Sequence, residues 1–230
     1  MFLKVPQNTR YEIKFISYEH NYHLVLNWLK LHKLNFKKKY VSRFVNNVYF
    51  DSHNYNSYKS NIFGDSSRIK LRYRWYGELE DINNGVFEIK YKRNLYGWKK
   101  KFNMQNFNFT EKSLLKNFSN TISKNLPDKE KIFFKANSNP KIINRYFRDY
   151  FTNYDDEIRI TIDRFHEIFD QRYSNNFNFR KKTYSQRIVV MELKFERGNT
   201  NFVDELMKSV PIRSSRNSKY VNSIRAVTGL

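Results

Sequence analysis

Four cations occupy every second position of the segment SRIKLRYRWYG, residues 67–77. They are Arg68, Lys70, Arg72 and Arg74, and no acidic residue separates them. Side chains of a β-strand alternate between its two faces, so a strand here would place all four charges on one face, about 7 Å apart. Because like charges at that spacing repel one another, the segment predicts an anionic ligand over this face. Phosphate oxygens match the forked guanidinium of Arg bidentately.

The motif Glu-x-Lys recurs in three further segments whose residues alternate between polar and apolar. The three copies are Glu12-Ile13-Lys14, Glu88-Ile89-Lys90 and Glu192-Leu193-Lys194. Carboxylates do not bind phosphate, but they can hold a divalent metal that bridges phosphate oxygens. The pattern therefore predicts a Mn²⁺ or Mg²⁺ cofactor held by carboxylates that stand among cations.

The composition supports an anionic partner. The 230 residues include 43 Lys and Arg against 22 Asp and Glu, which gives a formal net charge of +21 and a pI near 9.9. A disordered basic tail would carry few aromatic residues, whereas 18% of this chain is aromatic. The charge therefore belongs to a folded protein, and we predict one domain over residues 1–230.

Several classes of site are excluded or lack support. The chain has no cysteine, which rules out disulfides, thiolate nucleophiles and Cys-ligated metals. No P-loop, G-x-S-x-G or G-x-G-x-x-G motif occurs. No apolar run reaches the roughly 20 residues that a transmembrane helix needs, so we predict a cytoplasmic protein, for which a membrane-bound partner protein remains open.

Alternating and β-rich segments predict about eight strands, whereas residues 173–187 read as an irregular loop. The strand segments are residues 10–15, Val41–Asp51, 67–77, 86–92, Gly97–Asn103, Arg145–Phe151, 156–163, Arg164–Phe169 and 188–196. Helices are predicted over Tyr18–His32 with Ser17 as N-cap, Asn54–Phe63, Lys112–Ser123, Asn201–Ser209 and Ser214–Val227.

The direction of the charged face decides between two interpretations. In an ordinary half-exposed sheet it would be the solvent side. The opposite face carries residues too bulky to be exposed, such as Trp75, Phe87 and Phe195, which we expect the helices to cover. The charged face then points inward. We predict an α+β fold in which an antiparallel eight-stranded β-barrel with outer helices encloses an anion-binding tunnel.

Six ordered motifs resemble those of the polyphosphate polymerase domain of the vacuolar transporter chaperone (VTC) type, a triphosphate tunnel metalloenzyme. The motifs are RYEIKF, LRYRWYG, FEIKYKR, YFR followed by IRITID, VMELKFE and SRNSKY. They span Arg10 to about Ile224, nearly the whole chain. The resemblance implies an antiparallel tunnel of eight strands with outer helices, which agrees with the fold predicted above.

The resemblance also implies roles for particular residues. The residues that match the family's catalytic, phosphate-contacting cations are Lys14, Arg72, Arg74, Lys90, Arg148, Arg159 and Lys219. Further cations are candidates for substrate binding, namely Arg10, Lys70, Lys92, Lys194 and Arg216. Glu192 matches the metal-binding carboxylate, and Glu88 and Glu12 are additional metal candidates. Two positions depart from the family pattern: Arg216 replaces a lysine, and Arg10 stands where related enzymes have the first Glu of E-x-E-x-K.

The hypothesis that follows is a polymerase that uses ATP and inorganic polyphosphate as substrates. The γ-phosphoryl of ATP would pass to the end of a polyphosphate chain inside the tunnel. A triphosphatase or a polyphosphate-binding module of the same fold would use the same cations. An RNA-binding β-barrel is the alternative from another class, although no nucleic acid partner is expected; it would require aromatic side chains exposed beside the cations.

Overall fold

The computed structural model describes residues 6, 9, 11–94, 96–105, 107–180, 182–183, 187–196 and 200–229. Within these residues the chain forms nine strands, which are β1 (Tyr11–Tyr18), β2 (Lys37–Asp51), β3 (Ser67–Tyr76), β4 (Val86–Arg93), β5 (Tyr96–Asn103), β6 (Asn139–Thr152), β7 (Arg159–Asp170), β8 (Lys182–Thr183) and β9 (Ile188–Phe195). The α-helices of the same part of the chain are α1 (Tyr22–Leu31), α2 (Asn56–Ile62), α3 (Leu115–Lys124), α4 (Asp128–Ala136), α5 (Thr200–Ser209) and α6 (Lys219–Thr228). Short 3-10 helices cover Glu19–Asn21 and Ile82–Asn84.

All strands belong to one sheet in the order β1-β9-β7-β6-β2-β3-β4-β5, and β8 pairs with β7. Every neighbouring pair is antiparallel. The sheet curls until its two ends approach each other: the rings of Tyr11 in β1 and Tyr96 in β5 lie 6.2 Å apart, and Lys90 Nζ in β4 lies 3.3 Å from Glu12 Oε2 in β1. The predicted set of antiparallel strands with outer helices is therefore confirmed.

Closure into a barrel by hydrogen bonds is not shown. In the described part of the chain, no strand pairing joins β1 to β5. The free edge of β1 instead bonds to the segment before α6, through Ile16 N to Arg213 O (3.3 Å) and Ser215 N to Lys14 O (2.8 Å). This pairing also explains why α6 begins at Lys219 and not at the predicted Ser214, which lies opposite Phe15 in an extended segment.

Other element boundaries also differ from the prediction. Ser17 is not a helix cap, because it pairs with Val189 inside β1, and α1 begins only after the 3-10 helix. Residues 156–163 and Arg164–Phe169 contribute to one strand, β7, which continues through a bulge beside Phe165 (φ 53°). Helix α4 was not predicted. The predicted loop over residues 173–187 contains β8 and buries two phenylalanines, Phe177 and Phe179.

One half of the outer face of the sheet packs beneath α3 and α4. Trp75, Tyr73 and Phe87 of β3 and β4 are fully buried there. Phe118 of α3 and Phe134 of α4 supply the covering side chains, and the two rings contact Tyr73 and Phe87 edge-on at 5.1 Å. Burial of each such aromatic side chain stabilises the fold by about 1.5–3 kcal/mol. The predicted cover of the bulky face is confirmed.

The other half packs beneath α1 and α5. Val25 and Leu29 of α1 cover alternate residues of β9 and β7, such as Met191 and Ile160, and Leu206 of α5 completes this cluster. Most apolar side chains of the long strands are thus directed outward, which leaves the charged side chains on the inner face of the curled sheet. Among the described residues, no helix is both long and apolar enough to span a bilayer.

Helix α6 lies against the inner face, where a few apolar side chains of β2 and β6 receive it. Its Tyr220 stacks on Tyr49 of β2 at 5.3 Å between ring centroids, and Ile224 packs with Ile142 of β6. The Tyr220 hydroxyl donates to the buried carboxylate of Asp51 at 2.6 Å. Asp51 also accepts the first backbone N–H groups of α2, so one carboxylate anchors both helices.

Candidate functional site: a cation-lined inner face

The strand register brings polar side chains from several strands together on the inner face. Arg74 and Arg72 of β3 lie opposite Asn47 and Tyr49 of β2, and Arg72 lies opposite Glu88 of β4. On the far side, β1 and β9 pair Lys14 with Glu192. The predicted cations therefore do converge across the curled sheet.

The first group, here named the paired cluster, holds seven charged side chains in mutual contact. Its members are Glu12, Lys14, Arg148, Asp163, Glu192, Lys194 and Lys219. Arg148 grips Asp163 bidentately at 2.5 and 2.6 Å, and Lys219 Nζ lies 2.5 Å from the same carboxylate. Asp163 is fully buried. Burial alone would raise the pKa of Asp163, but Arg148 and Lys219 outweigh it and lower the pKa to about 2.

Glu192 occupies the centre of the paired cluster. Lys194 Nζ lies 2.8 Å from one carboxylate oxygen, and Lys219 and Lys14 lie 3.3 and 3.6 Å from the other. Burial opposes ionisation of Glu192, yet these lysines hold its pKa well below the usual range. The carboxylates act on the lysines in the same way. Burial would lower the pKa of Lys14, but Glu192 and Glu12 outweigh burial and raise this pKa.

A second arrangement joins β3, β4 and β5. Arg72 contacts Glu88 at 2.5 Å, and Lys99 of β5 contacts the other oxygen of Glu88 at 2.6 Å. Arg74 makes neutral contacts instead: its Nε donates to Asn47 Oδ1 at 2.8 Å, and its Nη2 donates to the Tyr146 hydroxyl at 3.1 Å. The Arg74 guanidinium is thus positioned without a carboxylate of the described residues within 4 Å.

The third group, here named the unpaired cluster, consists of Arg68, Lys70 and Lys92. None of the three has a carboxylate of the described residues within 4 Å. The Lys70 ammonium donates only to the Ser218 hydroxyl, at 2.8 Å. Burial lowers the pKa of Lys70 well below the usual value, and the charges of Lys14, Lys90 and the rest of this cluster lower it further. The inner face here carries positive charge that the described residues do not neutralise.

Comparison with known families now bears on this geometry. The family model of the VTC domain matches residues 9–228, nearly the whole chain. This chain belongs to the VTC domain family. VTC domains have the triphosphate tunnel metalloenzyme fold, which accounts for a curled antiparallel sheet with charge on its inner face. No curated protein matches the sequence.

Solved structures that align with this VTC domain have little sequence identity to it. An adenylyl cyclase candidate from Hippeastrum, described as having a dominant triphosphatase activity, aligns with a TM-score of 0.50, 10% identity and 96% coverage of each chain. The PH1819 protein of Pyrococcus horikoshii OT3 gives a TM-score of 0.48 at 9% identity, covering 94% of this chain and 97% of its own. An adenylate cyclase candidate from Vibrio parahaemolyticus gives 0.48 at 10% identity, covering 90% and 94%.

Enzymes with this fold typically use divalent metals, so the carboxylates of this VTC domain must be tested for fit. The described residues contain no group of three His, Asp or Glu side chains that could hold a metal by themselves. Glu12 and Glu192 are nevertheless adjacent, since Lys14 Nζ lies within 3.6 Å of both. Mg²⁺ is commonly bound by one or two carboxylates together with substrate phosphates, and this pair fits that pattern.

The remaining predicted residues of the VTC domain lie at several places. Glu88 belongs to the arrangement with Arg72 and Lys99 and does not contact the carboxylate pair of the paired cluster. Arg159 is exposed at the start of β7, opposite Lys194 in the register. Arg216 is exposed, and its charge acts on Lys92. Arg10 lies outside the described residues.

Three residues of this site were not predicted. Asp163 follows Arg159 by four residues in an alternating segment, so the strand pattern could have placed it on the inner face. The same reasoning applies to Tyr146, two residues before Arg148, and to Lys99 in β5. Lys90 was predicted, and Lys99 lies opposite it. The carboxylate of Glu12 would raise the pKa of Lys90, but burial and neighbouring cations outweigh it and lower the pKa to about 8. Burial and neighbouring cations also lower the pKa of Lys99 to about 8.

Three bulky aromatic residues of β3 and β4 face away from the cations, whereas Tyr76 lies on the same face as Arg74 and is partly exposed. Tyr73, Trp75 and Phe87 are completely buried beneath α3 and α4. Stacking of RNA bases beside the strand cations would need these rings on the same face as Arg72 and Arg74. Their burial removes these three rings as a stacking surface for RNA.

Proposed function

We propose that this VTC domain is an ATP-dependent polyphosphate polymerase, which transfers the γ-phosphoryl group of ATP to the end of a polyphosphate chain on the inner face. The observation that carries the proposal is the unpaired cluster, next to the prearranged guanidinium groups of Arg74 and Arg148. A long polyanion is the ligand that matches several inward cations which no carboxylate of the described residues neutralises. The family match over residues 9–228 supports one domain with this activity.

Phosphoryl transfer depends on positioning and charge neutralisation more than on covalent chemistry by the protein. Arg74 is fixed by Asn47 and Tyr146, and Arg148 is fixed by Asp163. Both guanidinium groups are therefore held in place before a substrate arrives, which is the property that makes electrostatic stabilisation of a transition state effective. We assign Arg72, Arg74, Arg148 and Arg159 to the triphosphate.

The polyphosphate chain needs a path of cations in addition to the triphosphate site. Lys70 and Lys92 carry positive charge without a carboxylate partner, and Lys90 is only partly neutralised by Glu12 at 3.3 Å. We assign the chain to these lysines together with Lys14 and Lys219, which belong to the paired cluster. A chain bound there would neutralise Lys70 and raise its lowered pKa.

Glu192 and Glu12 would hold the Mn²⁺ or Mg²⁺ ion. Such an ion, when bound, neutralises phosphate charge and polarises the phosphoryl oxygens. The lysines around Glu192 keep this carboxylate ionised, the form that binds a metal ion.

The test is to incubate the purified protein with ATP and Mn²⁺ and to separate the products by gel electrophoresis. We expect polyphosphate from the wild type and a loss of about 10²–10³ in rate for Arg74→Ala, as for removal of one oriented donor. Arg180→Ala is a matched control, since it removes an exposed ion pair with Glu111. Polymer formation undiminished in Arg74→Ala would refute the mechanism.

A triphosphatase is the second candidate, because the Hippeastrum protein of the same fold is described as having that activity. The two reactions differ in whether water or a phosphate chain accepts the phosphoryl group. The same incubation separates them: release of inorganic phosphate without polymer would favour the triphosphatase. The unpaired cluster favours the polymerase, because it extends the cationic face beyond the residues assigned to a triphosphate.

A further inference from the structure

An exposed group of aromatic side chains and one arginine lies at the end of the inner face. The guanidinium of Arg43 lies 4.1 Å from the ring centroid of Tyr76 and 5.5 Å from that of Tyr150. Tyr40 contacts Tyr150 edge-on at 5.7 Å. We name these four residues the aromatic platform. Tyr40 and Tyr76 remain 55% and 40% exposed, so planar surface is open to solvent.

The strand register connects this platform directly to the proposed triphosphate site. Tyr76 follows Arg74 by two residues on the same face of β3, a separation of about 7 Å. Arg43 of β2 lies opposite Arg148 of β6. Along β3 the inner face therefore presents an aromatic ring, then Arg74 and Arg72, and then Lys70.

We propose that the aromatic platform binds the base of the nucleotide whose phosphates lie on Arg74 and Arg148; this inference rests on the function proposed above. Bases stack on aromatic rings and on the plane of a guanidinium group. Arg43 is exposed and has no carboxylate of the described residues within 4 Å, and one face of its guanidinium lies on the Tyr76 ring, so ring and guanidinium form one continuous platform. The exposed rings of Tyr40 and Tyr76 do not belong to the apolar clusters that pack beneath the outer helices.

The platform assigns a direction to the reaction. With the base on Tyr76 and Arg43, the triphosphate runs along β3 from Arg74 towards Lys70. The γ-phosphoryl group then points at the unpaired cluster, where the polyphosphate chain is proposed to bind. Nucleotide and chain thus occupy opposite ends of one row of cations.

The experiment compares two ligands that share a triphosphate and differ in the base. Binding of the β,γ-imido analogue of ATP and of inorganic triphosphate is measured by calorimetry for the wild type, Tyr76→Ala and Arg43→Lys. The lysine variant keeps the positive charge and loses the plane. Tyr173→Ala is the matched control, because this tyrosine is 87% exposed in the turn after β7.

We expect Tyr76→Ala and Arg43→Lys to bind the ATP analogue about tenfold more weakly, within the range that one stacked base contributes. Inorganic triphosphate should bind within twofold of the wild type, and the control should change neither affinity. Equal weakening of both ligands, or no weakening of the analogue, would overturn the platform and leave the polymerase proposal intact. Failure of the wild type to bind either ligand would refute the proposed function, and the platform with it.

Discussion

The paired and unpaired clusters lie on the same inner face and both contain lysine and arginine, yet their electrostatics are opposite. In the paired cluster, burial would lower the pKa of Lys219, but Asp163 and Glu192 outweigh it and raise the pKa. In the unpaired cluster, burial lowers the pKa of Lys70 and Lys92, and their cationic neighbours add to the effect. The difference follows from the position of the carboxylates and not from the number of cations.

This contrast suggests a division of labour. A buried ion pair with satisfied hydrogen bonds holds its members in fixed positions. An inward cation without a carboxylate partner destabilises the free protein and is stabilised by an anionic ligand. The paired cluster would therefore position the reacting phosphates, while the unpaired cluster would provide binding energy for the chain.

The largest expected effect is on stability, in the paired cluster. Asp163→Asn leaves Arg148 and Lys219 buried without their closest carboxylate, and we expect the free energy of unfolding to fall by about 3–5 kcal/mol. Urea denaturation followed by circular dichroism measures this loss. Glu205→Gln removes an exposed ion pair with Lys33 and should leave the midpoint unchanged. Equal midpoints for the two variants would show that the paired cluster is not a structural element.

The unpaired cluster should respond in the opposite way. Because the pKa of Lys70 is lowered in the folded state, its charge costs stability at pH 7, and Lys70→Met should stabilise the ligand-free protein. With inorganic polyphosphate at 100 times its Kd, the wild type should gain about 2.7 kcal/mol. A variant that binds tenfold more weakly gains about 1.4 kcal/mol at the same concentration.

Thermal denaturation with and without polyphosphate measures both effects of Lys70→Met. Lys182→Met is the control, since this lysine pairs with Glu167 at the sheet surface. A destabilised ligand-free Lys70→Met protein with an unchanged response to polyphosphate would erase the distinction between the clusters.

Much of the fold and of the inner face could be predicted from alternation alone. The strand period placed Arg72, Arg74 and Lys90 on one face, and the bulk of Trp75 and Phe87 required cover on the other. The division into clusters could not be predicted, because each partner comes from another strand or helix. Arg148 meets Asp163 across β6 and β7, and Lys219 reaches Glu192 from α6.

Closure of the sheet was also beyond the sequence pattern. Counting strands indicated a barrel, but the edge of β1 is occupied by residues 213–215, whose extended backbone carries no strand signal. Helix α4 could have been found, since Pro127 precedes it and Asp128 and Glu130 lie in its first turn.

The pH dependence of stability gives a third, smaller effect. The pKa of Asp163 is lowered to about 2 from an ordinary value of 3.8, so its contribution is complete above pH 4 and is lost as the pH falls from 4 to 2. This shift corresponds to about 2 kcal/mol. The difference in unfolding free energy between the wild type and Asp163→Asn should therefore shrink by that amount between pH 5 and pH 2. A constant difference over this range would mean that Asp163 titrates normally.

The smallest effect is expected at Ser218, which connects the two clusters. Its hydroxyl caps α6 by accepting from Val221 N at 3.3 Å, and it accepts from Lys70. Ser218→Ala should cost about 1 kcal/mol, as for other N-cap substitutions. Ser218→Asp keeps the cap and adds a carboxylate beside Lys70, so it should raise the pKa of Lys70 and stabilise the free protein.

The same Ser218→Asp change should weaken the binding of inorganic polyphosphate, because the added carboxylate competes with phosphate for Lys70. Calorimetry on Ser218→Asp and Ser218→Ala, with Ser60→Asp in α2 as the control for added charge, measures this competition. One substitution would thus convert the unpaired cluster into a paired one. If Ser218→Asp bound polyphosphate as tightly as the wild type, lack of a carboxylate partner would not be what makes these lysines bind anions.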